Sequence, residues 1–271
     1  MRIFCFSLLV FAAAMASAQT TPTISPNGVV NAASFQNTLA PGSLFTIVGS
    51  ALSSQTASAS SVPFSRSLGG VTVHFTNGSN AVDAPMSYVA SGQINAQIPW
   101  GLVTPGTSAT AQMVVSNNGV NSASTAVTIS PFGPGIFGFN APSGGIYAIA
   151  YTYQDSMFAW PANSVAGLTT HPAVPGSLLI AYATGLGAVT PTIADGDVPG
   201  SVLTTANTQP QVLIGGISAQ VAFAGLTPQY PGVYQLNIVV PTNAPTGSAV
   251  PFQIQVGGIT SPASFTIAVG N

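Results

Sequence analysis

The segment APGSLFTIVGSALS, Ala40–Ser53, returns as VPGSLLIAYATGLG, Val174–Gly187, and the parallel continues downstream. VTVHF (Val71–Phe75) before Asn77-Gly78 answers to QVLI (Gln211–Ile214) before Gly215-Gly216. MSYVA (Met86–Ala90) answers to VAFAG (Val221–Gly225), and QINAQIP (Gln93–Pro99) to QLNIVVP (Gln235–Pro241). PGTSATAQMVV (Pro105–Val115) parallels PTGSAVPFQIQV (Pro245–Val256), and Val120-Asn121-Ser122 parallels Ile259-Thr260-Ser261. A unit of about a hundred residues is written twice, a size that suits one sandwich domain. Two separate cores are predicted.

Periodicity identifies the unit. Tyr234, Leu236, Ile238 and Val240 alternate with Gln235, Asn237 and Val239, and Phe252, Ile254 and Val256 alternate with Gln253 and Gln255. Phe265, Ile267 and Val269 follow the same rule, as do Val71, Val73 and Phe75, and Ile94, Ala96 and Ile98. A period of two with one apolar face is the mark of half-buried strands in an antiparallel sheet. Asn77-Gly78, Asn118-Gly119 and Gly215-Gly216 carry the residues that tight hairpin turns select. Asn77-Gly78-Ser79 also matches a glycosylation sequon and is read here as a turn. Short strands between closely spaced turns predict an all-β chain of two tandem immunoglobulin-like antiparallel β-sandwiches, with the PGSL segment opening the first long strand of each.

Composition agrees. Hydrophobic residues make up 46% of the 271 residues, enough for cores, while charged residues make up 2% against about 25% in an ordinary soluble domain. Lys and Glu are absent, and 29 Gly with 22 Pro remove the prospect of long helices. The N-terminus, MRIFCFSLLVFAAAMASAQ, has one positive charge, an apolar run from Ile3 to Met15 and Ala16-Ser17-Ala18, the pattern of a secretory signal peptide over residues 1–18. The run is shorter than the roughly 20 residues that a membrane span needs. A mature chain beginning near Gln19 has no cysteine, no disulfide and no transmembrane segment. Its formal charge is one Arg minus four Asp, or −3. That balance cannot neutralise a row of phosphates, so nucleic acid is excluded as a partner.

The residues VVNAASF (Val29–Phe35), APGSL (Ala40–Leu44), PGIF (Pro134–Phe137), PGS (Pro175–Ser177), TGLG (Thr184–Gly187), VAFAGL (Val221–Leu226) and VYQLNIVVP (Val233–Pro241) carry a family likeness. In this order they resemble an uncharacterised C-terminal module of secreted acidobacterial (Solibacter-type) proteins over about residues 28–269. That module is similar, more distantly, to the IPT/TIG group of early-set immunoglobulin folds. The resemblance implies an extracytoplasmic pair of sandwiches, often appended to larger surface or secreted proteins. It implies no catalytic residues.

The expected layout is a first sandwich over 28–131, a connector over 132–172 and a second sandwich over 173–271. Within the connector, IYAIAYTY (Ile146–Tyr153) and MFAW (Met157–Trp160) flank Gln154-Asp155-Ser156, the composition of a β-hairpin turn. Alternation puts Tyr147, Ile149, Tyr151 and Tyr153 on one face. Such aromatics are expected to cement the two sandwiches together through their large apolar area. If exposed, Tyr151, Tyr153 and Trp160 are the candidates for stacking on a sugar ring or a protein partner.

Candidate chemistry is sparse. No G-x-S-x-G elbow is present, and His74, on the outward face of a strand, and His171, in a Thr-Thr-His-Pro stretch, have no partner beside them in sequence. Four scattered Asp offer few carboxylate pairs for glycosidase chemistry. Asp195-Gly196-Asp197 is the one local pair that could share a hard cation, but such a site takes six to eight oxygens, and a polar turn is the reading preferred. No cofactor and no catalysis are expected. The function expected is a noncatalytic secreted or cell-surface binding or adhesion module for a protein or glycan. The alternatives are a structural, self-assembling surface component, because the edge strands lack Lys gatekeepers, and a carbohydrate-binding accessory domain of an enzyme.

Overall fold

The computed structural model describes residues 20–270; the expected signal peptide lies outside the described residues. The first copy forms β1 (Thr23–Asn31), β2 (Leu44–Ser50), β3 (Ala57–Ser58), β4 (Val71–Asn77), β5 (Asn80–Asp83), β6 (Met86–Ala90), β7 (Gln93–Gln97), β8 (Ala109–Asn117), β9 (Val120–Asn121) and β10 (Thr125–Ile129). One sheet has the order β1-β2-β7-β6-β3 and the other β10-β8-β4-β5. Their facing sides follow the alternation: Val71, Val73 and Phe75 are buried while Thr72 and His74 turn outward. Phe45 of one sheet meets Phe75 of the other edge-on, with ring centroids 5.9 Å apart. Asn77-Gly78-Ser79 lies at the β4–β5 turn, with Asn77 opposite Asn80. The first core runs from Val29 to Ile129.

The intervening segment forms β11 (Gly135–Ile136), β12 (Gly138–Asn140), β13 (Ile146–Ala148) and β14 (Ala150–Thr152). The second copy adds β15 (Leu178–Thr184), β16 (Val189–Thr190), β17 (Thr205–Ala206), β18 (Gln211–Ile214), β19 (Ile217–Leu226), β20 (Tyr234–Val239), β21 (Gly247–Val256), β22 (Ile259–Thr260) and β23 (Phe265–Val269). Its own core includes Leu179, Val212, Tyr234, Leu236, Ile238, Phe252, Ile254 and Ile267. Two cores therefore exist, one per copy. The PGSL segments lead into β2 and β15; in the first copy β1 precedes that strand.

The copies differ where backbone chemistry differs. In the second, β19 is continuous, pairing with β18 through Ile217–Ala219 and with β20 from Gln220 onward, so it passes from one layer to the other. In the first, Ala84-Pro85 divides the same path into β5 and β6, because proline has no N–H to give a ladder.

The aromatic segment does not cement the sandwiches together. It is built into the second one: β14 pairs with β15 and β13 runs parallel to β23. The expected hairpin is present, with Tyr151 opposite Phe158 and Thr152 N–H bonded to the Met157 carbonyl. Trp160 is 1% exposed, stacked on Phe158 at 4.2 Å with Phe139 at 5.3 Å and Tyr147 at 5.4 Å, and its Nε1–H donates to the Ala148 carbonyl at 2.7 Å. Apolar area decides this: a ring that buries on the order of 150–250 Å² is better placed in a core than at a seam.

The seam between the copies is instead polar and closely fitted. Buried Gln97 accepts from Gly196 N–H at 2.6 Å and donates to the Gly42 carbonyl at 3.1 Å. Buried Thr184 accepts from Leu44 N–H at 2.9 Å and donates to the Gly232 carbonyl at 2.8 Å. Asn31 donates to the Gly133 carbonyl at 2.9 Å. A side chain at Gly196 would lie 2.8 Å from Pro85 Cβ and 3.0 Å from the Phe64 backbone, and its φ of +73° also favours glycine. Trp100 of the first copy lies over Gly42 and packs against the second core.

Candidate functional site

The sequence-predicted metal pair is part of this seam. Asp195 Oδ1 accepts the Trp100 N–H at 2.7 Å, and Oδ2 pairs with Arg66 at 2.9 Å. Arg66 also donates to the Asp83 carbonyl at 2.7 Å. Asp197 turns away and accepts its neighbour Val198 N–H at 2.8 Å. The two carboxylates do not converge on one point. Asp195 acts as a clamp between the copies, using the chain's one arginine beyond Arg2.

Of the sequence-predicted contact residues, Trp160 is core, whereas Tyr151 and Tyr153 face outward. Tyr153 lines one recess, and Tyr151 is bonded to Tyr182, which lines another. The first is a cleft of about 750 Å³ lined by Tyr153, Gln154, Asp155, His171, Val174 and Ser177. Tyr153, at the hairpin tip, is 64% exposed. His171, which has no partner in sequence, here meets Asp155: Nε2 lies 2.8 Å from Oδ2, and Nδ1 lies 2.8 Å from the Pro172 carbonyl. Asp155 also accepts from the Thr152 hydroxyl and from Met157 N–H, and these two bonds hold its carboxyl down at about 2. The Pro172 carbonyl, then Asp155, raise His171 above its ordinary value of 6.5 against the opposing effect of burial.

A serine, a histidine and an aspartate thus line one cleft, and their bonding matters. Both imidazole nitrogens of His171 face acceptors, which favours the doubly protonated ring. Such a ring has no lone pair with which to take a proton from Ser177, whose hydroxyl is buried without a partner among the described residues. His74 is likewise paired, with Asp83 across the β4–β5 ladder at 2.7 Å, on an exposed face.

The second recess is a shallow groove of about 350 Å³ lined by Phe137, Ile149, Tyr182, Tyr230 and Val233. Sequence reasoning missed Tyr182 and Tyr230 because they lie outside the aromatic-rich segment. β14 pairing on β15 sets Tyr151 beside Tyr182: their hydroxyls are 2.9 Å apart and their rings 6.0 Å apart at 45°. Burial, then the bond to Tyr151, pushes the Tyr182 phenol well above its ordinary value, so it remains a neutral hydroxyl. Tyr230 is 63% exposed at the rim. No charged side chain lines this groove. Gln235 and Asn237, outward on neighbouring β20, present amides bonded to each other at 2.8 Å.

No family model matches the chain, and no curated protein matches it. Among solved structures it is similar to the extracellular region of plexin A4, at 10% identity over 98% of this chain with a TM-score of 0.28. The chain spans 20% of that plexin. It is similar also to the I9–I11 tandem of titin, at 10% identity over 93% of this chain and 98% of that one, TM-score 0.18. The C-terminal domain of the Streptococcus agalactiae AgI/II polypeptide BspA matches at 10% identity over 88% and 96%, TM-score 0.18. Superpositions this loose carry no argument about a site. Among the described residues, no helix is long and apolar enough to cross a membrane.

Proposed function

We propose that the protein is a noncatalytic, extracytoplasmic binding module that holds a neutral glycan in the tyrosine groove of its second sandwich. The observation that carries this reading is the composition of the groove: Tyr182 and Tyr230 beside Phe137 and Ile149, with no charge, and with the Tyr182 hydroxyl bonded to that of Tyr151. Aromatic faces offer flat apolar area with hydroxyl tips, the combination that suits a sugar ring with an apolar face and a rim of hydroxyls. The amides of Gln235 and Asn237 add donors and acceptors alongside. The occupied nitrogens of His171 support a noncatalytic role. The leader-like N-terminus and the resemblance to secreted acidobacterial modules support the compartment, and adhesion at a cell surface is the corresponding biological role.

A neutral-glycan array followed by titration of the retained sugar tests this. Tyr230→Ala removes an exposed ring, so it is expected to weaken binding by about tenfold, equivalent to about 1.4 kcal/mol, with the melting temperature unchanged. An array with no retained neutral glycan, or binding indifferent to Tyr230→Ala and Tyr182→Phe, overturns the reading.

A further inference from the structure

The duplication allows one copy to be read against the other strand by strand, and one position is filled in the second and open in the first. Val29, Val30 and Asn31 of β1 pair with Ile47, Thr46 and Phe45. Ala150, Tyr151 and Thr152 of β14 pair with Ala181, Ile180 and Leu179 in the same way. Upstream of that shared stretch the two chains part. In the second copy the preceding residues form β13 and cross to the opposite layer, where Ile146 and Tyr147 lie parallel to Phe265 and Thr266 of β23. In the first copy the preceding residues bulge and then return to β2, with Ile24 opposite Gly49.

The reason is local. Counting back from the shared stretch, Pro26 stands where the second copy has Tyr147, and Asn27, at φ +55°, stands where it has Ala148. A proline has no N–H for a new ladder and a left-handed residue breaks an extended run, so this segment does not cross.

The edge it would have covered is β10. The parallel bridge Leu39–Ile129 matches Ala173–Val269, which puts Thr125 and Ala126 in the places of Phe265 and Thr266. β10 pairs with β8 on one side; on the other, among the described residues, its backbone is met by Leu39 at Ile129 alone. A groove of about 340 Å³ runs along it, lined by Ser25, Asn27, Gly28, Asn37 and Thr125–Thr128. Ala126 and Thr128 are exposed, and no charged residue stands in the groove to repel a strand.

We infer that this groove is a docking site for an extended, uncharged peptide strand of a partner protein, which adds to β10 in parallel as β13 adds to β23. The second copy shows the chemistry of the occupant: a run free of proline and charge, with an apolar side chain turned inward, as Tyr147 is at 5% exposure. Main-chain bonds to a sheet edge supply affinity in this mode, and the alternate side chains supply selectivity. The site is separate from the tyrosine groove, and neither depends on the other.

The probe is a synthetic peptide reproducing Gly144–Thr152 with a solubilising tail, titrated against the full mature chain while amide hydrogen exchange is followed residue by residue. Saturable binding is expected, with exchange slowed about tenfold or more in the Thr125–Thr128 stretch. Ala126→Pro, at an exposed edge position, should abolish it; a control peptide with Lys in place of Tyr147 should bind at least about tenfold more weakly. If Ala126→Pro does not fold, the exchange pattern of the unaltered chain decides alone. Absence of binding overturns the proposal, as does protection confined to β15 and β23, which would mean that the peptide displaces its own counterpart. Concentration-dependent dimerisation that protects the same amides without peptide also overturns it, in favour of a second copy of the chain.

Discussion

The two sandwiches share an order of strands and differ at their margins. The first copy has a strand path broken at Pro85 and an entry strand that stays on one sheet, leaving β10 uncovered. The second has the uninterrupted β19 and an entry segment that covers both β15 and β23. Duplicated alternation reproduces layers and cores, because burial depends on which side chains face inward. It does not reproduce edges, which depend on whether a few residues keep their N–H groups and extended φ. The aromatic groove, the His171–Asp155 pair and the Trp160 stack all belong to the elaborated copy.

The difference can be broken most forcefully at Trp160. Trp160→Ala removes the ring against which Phe139, Tyr147 and Phe158 pack, and a loss of about 3–5 kcal/mol is expected. Calorimetry should show the second copy failing first; an unchanged melting curve would mean that the elaboration is not structural. Next is the seam. Asp195→Ala leaves the Trp100 N–H without an acceptor at a cost of about 1–3 kcal/mol, to which the exposed Arg66 pair adds little. Small-angle scattering should then show the two copies further apart or variably oriented. Unchanged scattering would assign their fixed placement to Gln97 and Thr184.

The smallest effect concerns pH. His171 has a raised pKa in the folded chain, so its contribution is complete below its ordinary value of 6.5 and is lost as pH rises through the raised value. Asp155 is depressed, so its contribution is complete above 3.8 and is lost as pH falls toward about 2. The pair should therefore stabilise the hairpin tip most between roughly pH 4 and 6.5. His171→Gln should remove the alkaline limb of that profile, with melting of the first copy unaffected. A profile that is the same in both proteins would show that the tip is held by other contacts.

Sequence reading reached the strands with clean alternation, such as β4, β20, β21 and β23, and their hairpin turns, because a period of two is a local property. It also placed the Gln154-Asp155-Ser156 turn. It missed Tyr182 and Tyr230, which approach one groove only when β15 lies beside β20. It singled out Trp160 as a contact residue although three neighbouring aromatics enclose it. Asp195 and Asp197 looked like a pair because they are adjacent in the chain; in space one faces Trp100 and Arg66 and the other its own backbone.

By itself the amino-acid sequence determined that the chain is all-β, duplicated, nearly uncharged and built on two cores, since composition, repeat and periodicity are properties of the order of residues along the chain and need no contact between distant positions. Only the tertiary structure decided which aromatics are core and which are surface, that Asp195 joins the copies, that His171 has a partner, and that one sheet edge stands open. Those outcomes depend on side chains and backbone groups brought together from distant positions, where apolar area, hydrogen-bond partners and the presence or absence of an N–H compete within one packed volume.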